Sequence, residues 1–220
     1  MPFFFRRFSL NLFSYPQSYS TEGRGILEVS RTNRGSELTD NELMFQVRDG
    51  DVGKLGILFR RHQEKLFGFF VRHTGKRELS EDLVQDVFFR VLKYRHTFRG
   101  EAPFAVWMYR LARNASADYF RKWKHETPMD DSAEQMPGDD LLPPDQLQQQ
   151  EEHRLLTDAL SKLSEEKREV LILSRFQGMK YEEIATILEC PVGTVKARVH
   201  YALKDLRDEY MKLTKTSVEE

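Results

Sequence analysis

Lys180-Tyr-Glu-Glu-Ile-Ala-Thr-Ile-Leu-Glu-Cys-Pro-Val-Gly-Thr-Val-Lys-Ala-Arg-Val-His-Tyr-Ala-Leu-Lys-Asp-Leu-Arg207 is the stretch that decides how the chain is read. The spacing of Ile184, Ala185, Ile187 and Leu188 predicts a short helix over residues 181–188 with these side chains inward. Pro191 cannot continue that helix and biases Cys190 toward an extended backbone, so the chain turns at Glu189-Cys190-Pro191. A second helix starts near Val192-Gly193-Thr194. It buries Val195, Val199, Ala202, Leu203 and Leu206 and shows Lys196, Arg198, His200, Lys204 and Arg207. A short helix with a small residue at its centre, a three-residue turn and a longer basic helix make a helix-turn-helix, whose second helix lies in the DNA major groove. The plain alternative is an αα-hairpin with a solvated charged face. Against it, residues 192–207 hold four Lys/Arg and one Asp, 4 − 1 = +3, in a chain of formal net charge −1.

Composition narrows the classes. With 220 residues, 40% apolar and 31% charged, the chain reads as one or two soluble, globular domains. No stretch approaches the ~18–20 apolar residues of a membrane span. Cys190 is the single cysteine, which rules out an intramolecular disulfide and points to a reducing cytoplasm. It also rules out a cysteine-rich zinc site, and the six histidines are scattered. There is no Gly-rich phosphate loop, no paired metal-ligand spacing and no Ser/His/Asp pattern in a strand context. No catalytic residue, metal or cofactor is therefore assigned, and His62, His73, His96, His125 and His153 read as surface or packing residues.

Residues 1–38 are aromatic and basic at first, but Arg6-Arg7 breaks the apolar run, so no signal-peptide core forms. They read as a disordered extension, with contact to a membrane surface as a lesser alternative. Order is expected from Thr39-Asp-Asn-Glu42, a capping box. The short helix after it ends at Asp49-Gly50. Asp51 is expected to cap a second helix, striped by Leu55, Leu58, Phe59, Leu66, Phe69 and Phe70 and stopped at Thr74-Gly75. Ser80 is expected to cap a third, striped by Leu83/Val84, Val87/Phe88 and Val91/Leu92. No strand-like alternation appears.

A fourth helix over residues 103–124 places Trp107, Met108, Leu111, Ala115 and Tyr119 on one face, with Trp107 read as core. Arg110, Arg113, Asn114, Ala117, Arg121 and Lys124 share another arc. Residues 95–125 carry seven Lys/Arg against two acids, 7 − 2 = +5. A basic helix flanked by aromatics suits single-stranded nucleic acid, where bases stack on rings and phosphates meet cations. Residues 126–152 then hold nine Asp/Glu and no Lys or Arg, with Pro128, Pro137, Pro143 and Pro144, and read as a flexible acidic linker. Two readings of its charge stay open: it lies transiently across the basic DNA-binding faces, or it only keeps the linker extended and solvated. Helices resume near Gln148. Ser164 is expected to cap residues 165–176, with Gly178 as a C-cap, and the tail from Thr214 to frayed ends.

Several runs carry a family resemblance. Ile184-Ala-x-x-Leu188-x-x-Pro191-x-Gly193-Thr194-Val195-Lys196-x-Arg198 resembles the minus-thirty-five-reading region of bacterial sigma factors of the extracytoplasmic-function (ECF) group. Glu81-Asp82-Leu-Val-Gln85-Asp86-Val-Phe88, Phe98-Arg-Gly-Glu-Ala-Pro-Phe104-x-x-Trp107-Met-Tyr-Arg110-Leu-Ala-Arg-Asn114 and Asp118-Tyr-x-Arg121-Lys122 resemble the domain that binds RNA polymerase and melts the minus-ten element. Together they cover roughly residues 40–125 and 150–210.

The resemblance implies an all-α chain of two small domains, an N-terminal helical bundle (39–125) and a C-terminal helix-turn-helix (151–213), joined by the linker (126–150) and followed by a tail (214–220). It implies core polymerase binding by Asp82, Gln85 and Asp86, and minus-ten recognition by Asn114, Asp118, Arg121 and Lys122, beside which Arg110 and Arg113 stand on the same polar arc. Minus-thirty-five recognition falls to Thr194, Lys196, Ala197, Arg198, His200, Tyr201 and Lys204. Family members often carry Ser where Ala197 stands and Arg near Tyr201, so base readout is expected to lean on Lys196, Arg198 and His200. The implied partners are core RNA polymerase, promoter DNA and an anti-sigma factor clasping both domains; the two promoter elements lie two DNA turns apart, ~70 Å at ~35 Å per turn. The alternative is a stand-alone helix-turn-helix regulator, which would more often show a ligand pocket or dimer seam in its N-terminal half.

Overall fold

The computed structural model describes residues 38–126 and 154–216. The readings of the N-terminal extension and the acidic linker, including its proposed masking of DNA-binding faces, lie outside the described residues. Every regular element described is helical, with no strand among the described residues.

The capping box forms as expected at the start of α1 (Asp40–Arg48): Thr39 Oγ1 accepts from the Glu42 amide, and the Glu42 carboxylate accepts from the Thr39 amide at 2.7 Å. Asp51 does not cap α2. It precedes a 3-10 turn, Val52–Lys54, makes no side-chain cap bond, and α2 runs Leu55–Thr74. Gly75, at φ 71°, ends that helix in the left-handed conformation. Ser80 is not a cap either. Lys76, with extended backbone, starts α3 (Arg77–Lys93) one turn earlier, so Ser80 lies buried inside the helix and its hydroxyl donates back to the Lys76 carbonyl at 2.5 Å. A polar residue ahead of an apolar stripe has two ways to satisfy its hydroxyl, and burial favoured the internal one.

α4 (Phe104–Glu126) begins where Asn41 reaches across from α1. Asn41 Oδ1 accepts from the Phe104 amide at 2.7 Å, and its Nδ2 donates to the Ala102 carbonyl at 3.3 Å. A side chain some sixty residues away therefore caps α4. The loop before it is pinned by aromatics: Phe98 lies 5.4 Å from both Phe45 and Trp107, ring centre to ring centre. Gly100 sits at φ 73°, and any Cβ there would fall 2.3 Å from Phe45 Cζ, so both conformation and space demand glycine. Trp107 is half-buried in this cluster, as its place in the stripe predicts.

The C-terminal half comprises α5 (154–161), α6 (Glu165–Leu171), α7 (Tyr181–Leu188) and α8 (Val192–Thr216). Ser164 occupies the N-cap position of α6 but makes no cap bond, and α6 widens into a π turn over Ile172–Phe176 before Gly178 at φ 66° turns the chain. The helix α8 persists to Thr216, past the predicted start of fraying. Leu203 also departs from expectation. It is 37% exposed, because the inward direction of α8 is set by Val195, Val199 and Ala202, and Leu203 lies about 70° from it at 100° per residue.

The described residues from Leu38 onward belong to one compact unit, and the two halves meet in it. The Tyr109 hydroxyl donates to Gln177 Oε1 at 2.7 Å, Gln177 Nε2 donates to the Lys65 carbonyl at 3.1 Å, and Arg168 Nη1 donates to the His73 carbonyl at 2.8 Å. His73 stacks on Phe69 and shares a 3.3 Å contact between its Nδ1 and Ser116 Oγ. Burial, and then the charge of Arg168, push its pKa down to about 4. The unfolded chain therefore takes up a proton at His73 before the folded one does. Stability carried by the neutral ring is complete above the unfolded value of ~6.5 and is lost as pH falls toward 4, by about 2 kcal/mol at pH 5. Thermal melts of wild type and His73→Phe at pH 7.5 and 5 should show the wild type losing that amount more than the variant; parallel losses would remove His73 as the cause.

Candidate nucleic-acid interface

The helix-turn-helix is built as its sequence requires. Ile184, Ile187 and Leu188 are buried, Ala185 is half-buried, and the Glu183 carboxylate accepts from the Lys180 amide at 2.8 Å to close the start of α7. Glu189 turns the chain at φ 54°, the one non-glycine with positive φ among the described residues. On α8, Lys196, Ala197, His200, Tyr201 and Lys204 are exposed, and Thr194 is half-buried near its start. Arg198 is half-buried and turned to the flank, its Nη2 3.2 Å from Glu166 Oε2 at the start of α6. Below it Lys167 pairs with Asp205. The structure thus brings six of the seven candidate residues onto or beside one open face and sets Arg198 at its edge.

The N-terminal candidates fall into three groups. Asp82 and Gln85 are exposed on the outer side of α3, next to Phe89, which is 47% exposed and which no charge pattern singled out. Asp86 belongs to a chain of ion pairs. Arg90 Nε lies 2.9 Å from Asp86 Oδ2, Arg90 Nη1 lies 2.9 Å from Asp118 Oδ2, and Arg121 Nη2 lies 3.1 Å from Asp118 Oδ1. Partial burial works against the charge on Arg90, but Asp118 and Asp86 outweigh it and hold its pKa up. Arg90, Asp118 and Arg121 line a groove of about 460 Å³ between α3 and α4, together with Tyr94, Thr97, Leu111, Asn114 and Ala117. Arg90 stands one helical turn after Asp86, a signal present in the sequence. Tyr94 and Thr97 join the site only through the fold. Lys122 is exposed nearby.

Arg110 and Arg113 form the third group, and they face the C-terminal half. Arg110 Nη2 is 2.6 Å from Glu189 Oε1, and Arg113 Nε is 3.4 Å from Glu169 Oε1. Glu169 is buried, which pushes its carboxyl above the usual range, while Arg113 pulls it back. An acid with a raised folded pKa is penalised once ionised; the penalty is absent at low pH and grows as pH rises through the folded value. Arg113→Ala removes the offsetting charge and should cost roughly 1–2 kcal/mol at pH 7.5 after allowance for the half-exposed Arg113 side chain. The difference from wild type should shrink as pH falls and Glu169 takes up its proton; a pH-independent difference in denaturation midpoints would show that the pair is not electrostatic.

Two family models cover these two halves. Residues 58–126 match Sigma-70 region 2, and residues 153–206 match Sigma-70, region 4. The ECF RNA polymerase sigma-E factor of Haemophilus influenzae is 30% identical over 186 residues, 80% of this chain and 98% of that protein. RNA polymerase sigma-H factor of Pseudomonas aeruginosa is 30% identical over 172 residues, 74% of this chain and 89% of that protein. Among solved structures, the sigma factor RpoE of Bartonella quintana, in complex with the anti-sigma factor NepR, superposes with a TM-score of 0.58 at 25% identity, covering 69% of this chain and 92% of that one. With both halves matched in order on the same helices that hold the groove and the basic outward face of α8, the chain belongs to the ECF group of the sigma-70 family and is an RNA polymerase sigma factor.

Proposed function

We propose that the chain docks on core RNA polymerase through the Asp82, Gln85 and Asp86 side of α3, takes minus-ten bases into the groove between α3 and α4, and reads the minus-thirty-five element with α8. The observation that supports this most is the pairing, on one chain, of an open basic reading helix with a groove that presents Asn114, Asp118 and Arg121 beside the acidic side of α3. It performs no reaction of its own; polymerase supplies the chemistry, in the cytoplasm. An anti-sigma factor is the fitting negative regulator, since the solved structure it resembles is of a sigma factor bound to one. A stand-alone regulator gains no support, because both halves match sigma-70 regions in order.

Reading both elements requires the halves to part. A compact unit the size of Leu38–Glu220 has a radius of gyration of about 16 Å, against ~70 Å between two sites two DNA turns apart. Docking on polymerase is the step that would separate them and release Arg110 and Arg113 from their C-terminal acids.

Transcription with core polymerase over a genomic fragment library, with and without the chain, tests the whole reading: start sites that appear only with the chain are expected. Asp82→Lys tests docking most cleanly, because Asp82 is exposed whereas Asp86 also holds Arg90. Co-purification with core enzyme should be lost while stability moves by less than ~0.5 kcal/mol; undiminished co-purification would take docking off this surface. Asn114→Ala should reduce promoter melting, followed by permanganate reactivity of unpaired thymines, more than it reduces initial DNA binding. An unchanged bubble would mean the groove reads nothing.

A further inference from the structure

The direction of each side chain on α8 is fixed by its buried residues. Val195, Val199 and Ala202 face inward. At 100° per residue, Ala197 and Lys204 then point within about 15° of straight outward, with His200 and Tyr201 roughly 50° to either side, and Arg198 lies about 115° away on the flank that meets Glu166. The crest of the reading helix, in the turns that reach base edges, is thus a methyl group beside an aromatic ring. Tyr201 is 58% exposed, more than any other large apolar side chain described, and the His200 ring meets it edge-on at 5.4 Å between centres, which favours one orientation of the Tyr ring.

We propose that Ala197 and Tyr201 form an apolar notch that reads the C5-methyl group of thymine in the upstream promoter element. This rests on the reading of α8 as the helix that enters the major groove there.

The chemistry follows from what each base shows in that groove. Guanine offers two acceptors, cytosine an amino donor, and adenine an acceptor and a donor; thymine alone offers a methyl group beside its acceptor. Ala197 ends at Cβ and has nothing to donate or accept. A polar base edge pressed against it gives up water without a replacement partner, whereas a thymine methyl gains apolar contact with both the Ala197 methyl and the Tyr201 ring. Lys196 and Lys204 stand on either side along the helix, suited to phosphates, which fix register without selecting sequence. Selectivity at the crest is then carried by a hydrophobic contact rather than by a bidentate arginine.

The test uses the full chain with core polymerase. An upstream element is first selected from promoter DNA randomised in that region, and each thymine in it is then replaced singly by uracil, which removes only the methyl group. Binding should weaken about three- to fivefold at one thymine or two neighbouring ones, and be unchanged at the rest. Ala197→Ser and Tyr201→Ala should each bring the thymine-to-uracil ratio at those positions toward one, while co-purification with core and the salt dependence of DNA binding stay as in wild type. An element in which no uracil substitution matters, or a methyl effect that both variants leave intact, overturns the notch while leaving α8 as the reader. Failure to enrich any upstream element would instead overturn the reading of α8 itself, and the notch with it.

Discussion

The guanidinium of Arg168 is the joint on which the rest of the described structure depends. It donates to the carbonyls of Leu160 at 2.9 Å, Ser161 at 2.7 Å and Leu163 at 3.0 Å, and to that of His73 at 2.8 Å. The first three lie at and just beyond the end of α5, and the fourth lies in the last turn of α2, where carbonyls run short of intrahelical donors. One planar fork with five N–H groups suits four such acceptors at once, which a lysine ammonium with three could not match. Burial works against the charge on Arg168 and lowers its pKa, but its bonds gather carbonyls from both halves on one guanidinium. Its position also places a positive charge beside His73, so the same residue that ties the halves together adds to what keeps that imidazole neutral.

Around this joint the contacts between halves differ in strength, and the difference bears on how they separate. Arg110–Glu189 is half-exposed on both sides and contributes little in water. Tyr109–Gln177 is largely buried, and burial raises the pKa of the Tyr109 hydroxyl, so it stays a donor over the whole physiological range. Glu169 is buried and ion-paired with Arg113, with Arg198 adding a weaker favourable charge. One apolar core runs through both halves, and these polar groups specify how they close on it. Each can be exchanged for water or for another partner when the halves part. The outward face of α8 takes no part in this contact. The chain thus presents all its minus-thirty-five candidates but Arg198 on or beside an open face, while Arg110 and Arg113 are paired with acids of the C-terminal half.

What was legible in the sequence followed from local rules. The capping box at Thr39, the stop at Gly75 and the corner at Glu189-Cys190-Pro191 depend on residues within four positions of one another, and each appears where expected. Ser80 and Asp51 were misread for the same reason: a cap and an internal or loop position differ by one turn, and local spacing cannot rank them against tertiary burial. Nonlocal partners were out of reach. Asn41 capping α4, Arg168 joining α5 to α2, and Glu169 behind Arg113 are each set by packing between segments far apart in the chain. The polar arc on α4 was legible as an arc. Its division between a groove facing α3 and a contact facing α6 and α7 was not, because amphipathicity records that a face is polar and not what stands opposite.

That division also changes how the charges of the N-terminal half are to be understood. Asp86, Arg90, Asp118 and Arg121 alternate in sign from α3 to α4, so the groove is close to neutral although the helix that forms one wall is basic. Arg90, with a side chain only 19% exposed, is shared between Asp86 on α3 and Asp118 in the groove. Partly buried charges are screened less than exposed ones, so a change at one end of such a chain is felt at the other. Loss of Asp86 leaves Arg90 to Asp118 alone, which draws Asp118 away from Arg121 and alters the groove beside Asn114. A change at Asp86 consequently reaches the groove, whereas Asp82, exposed and outside the chain of pairs, can be changed without touching it.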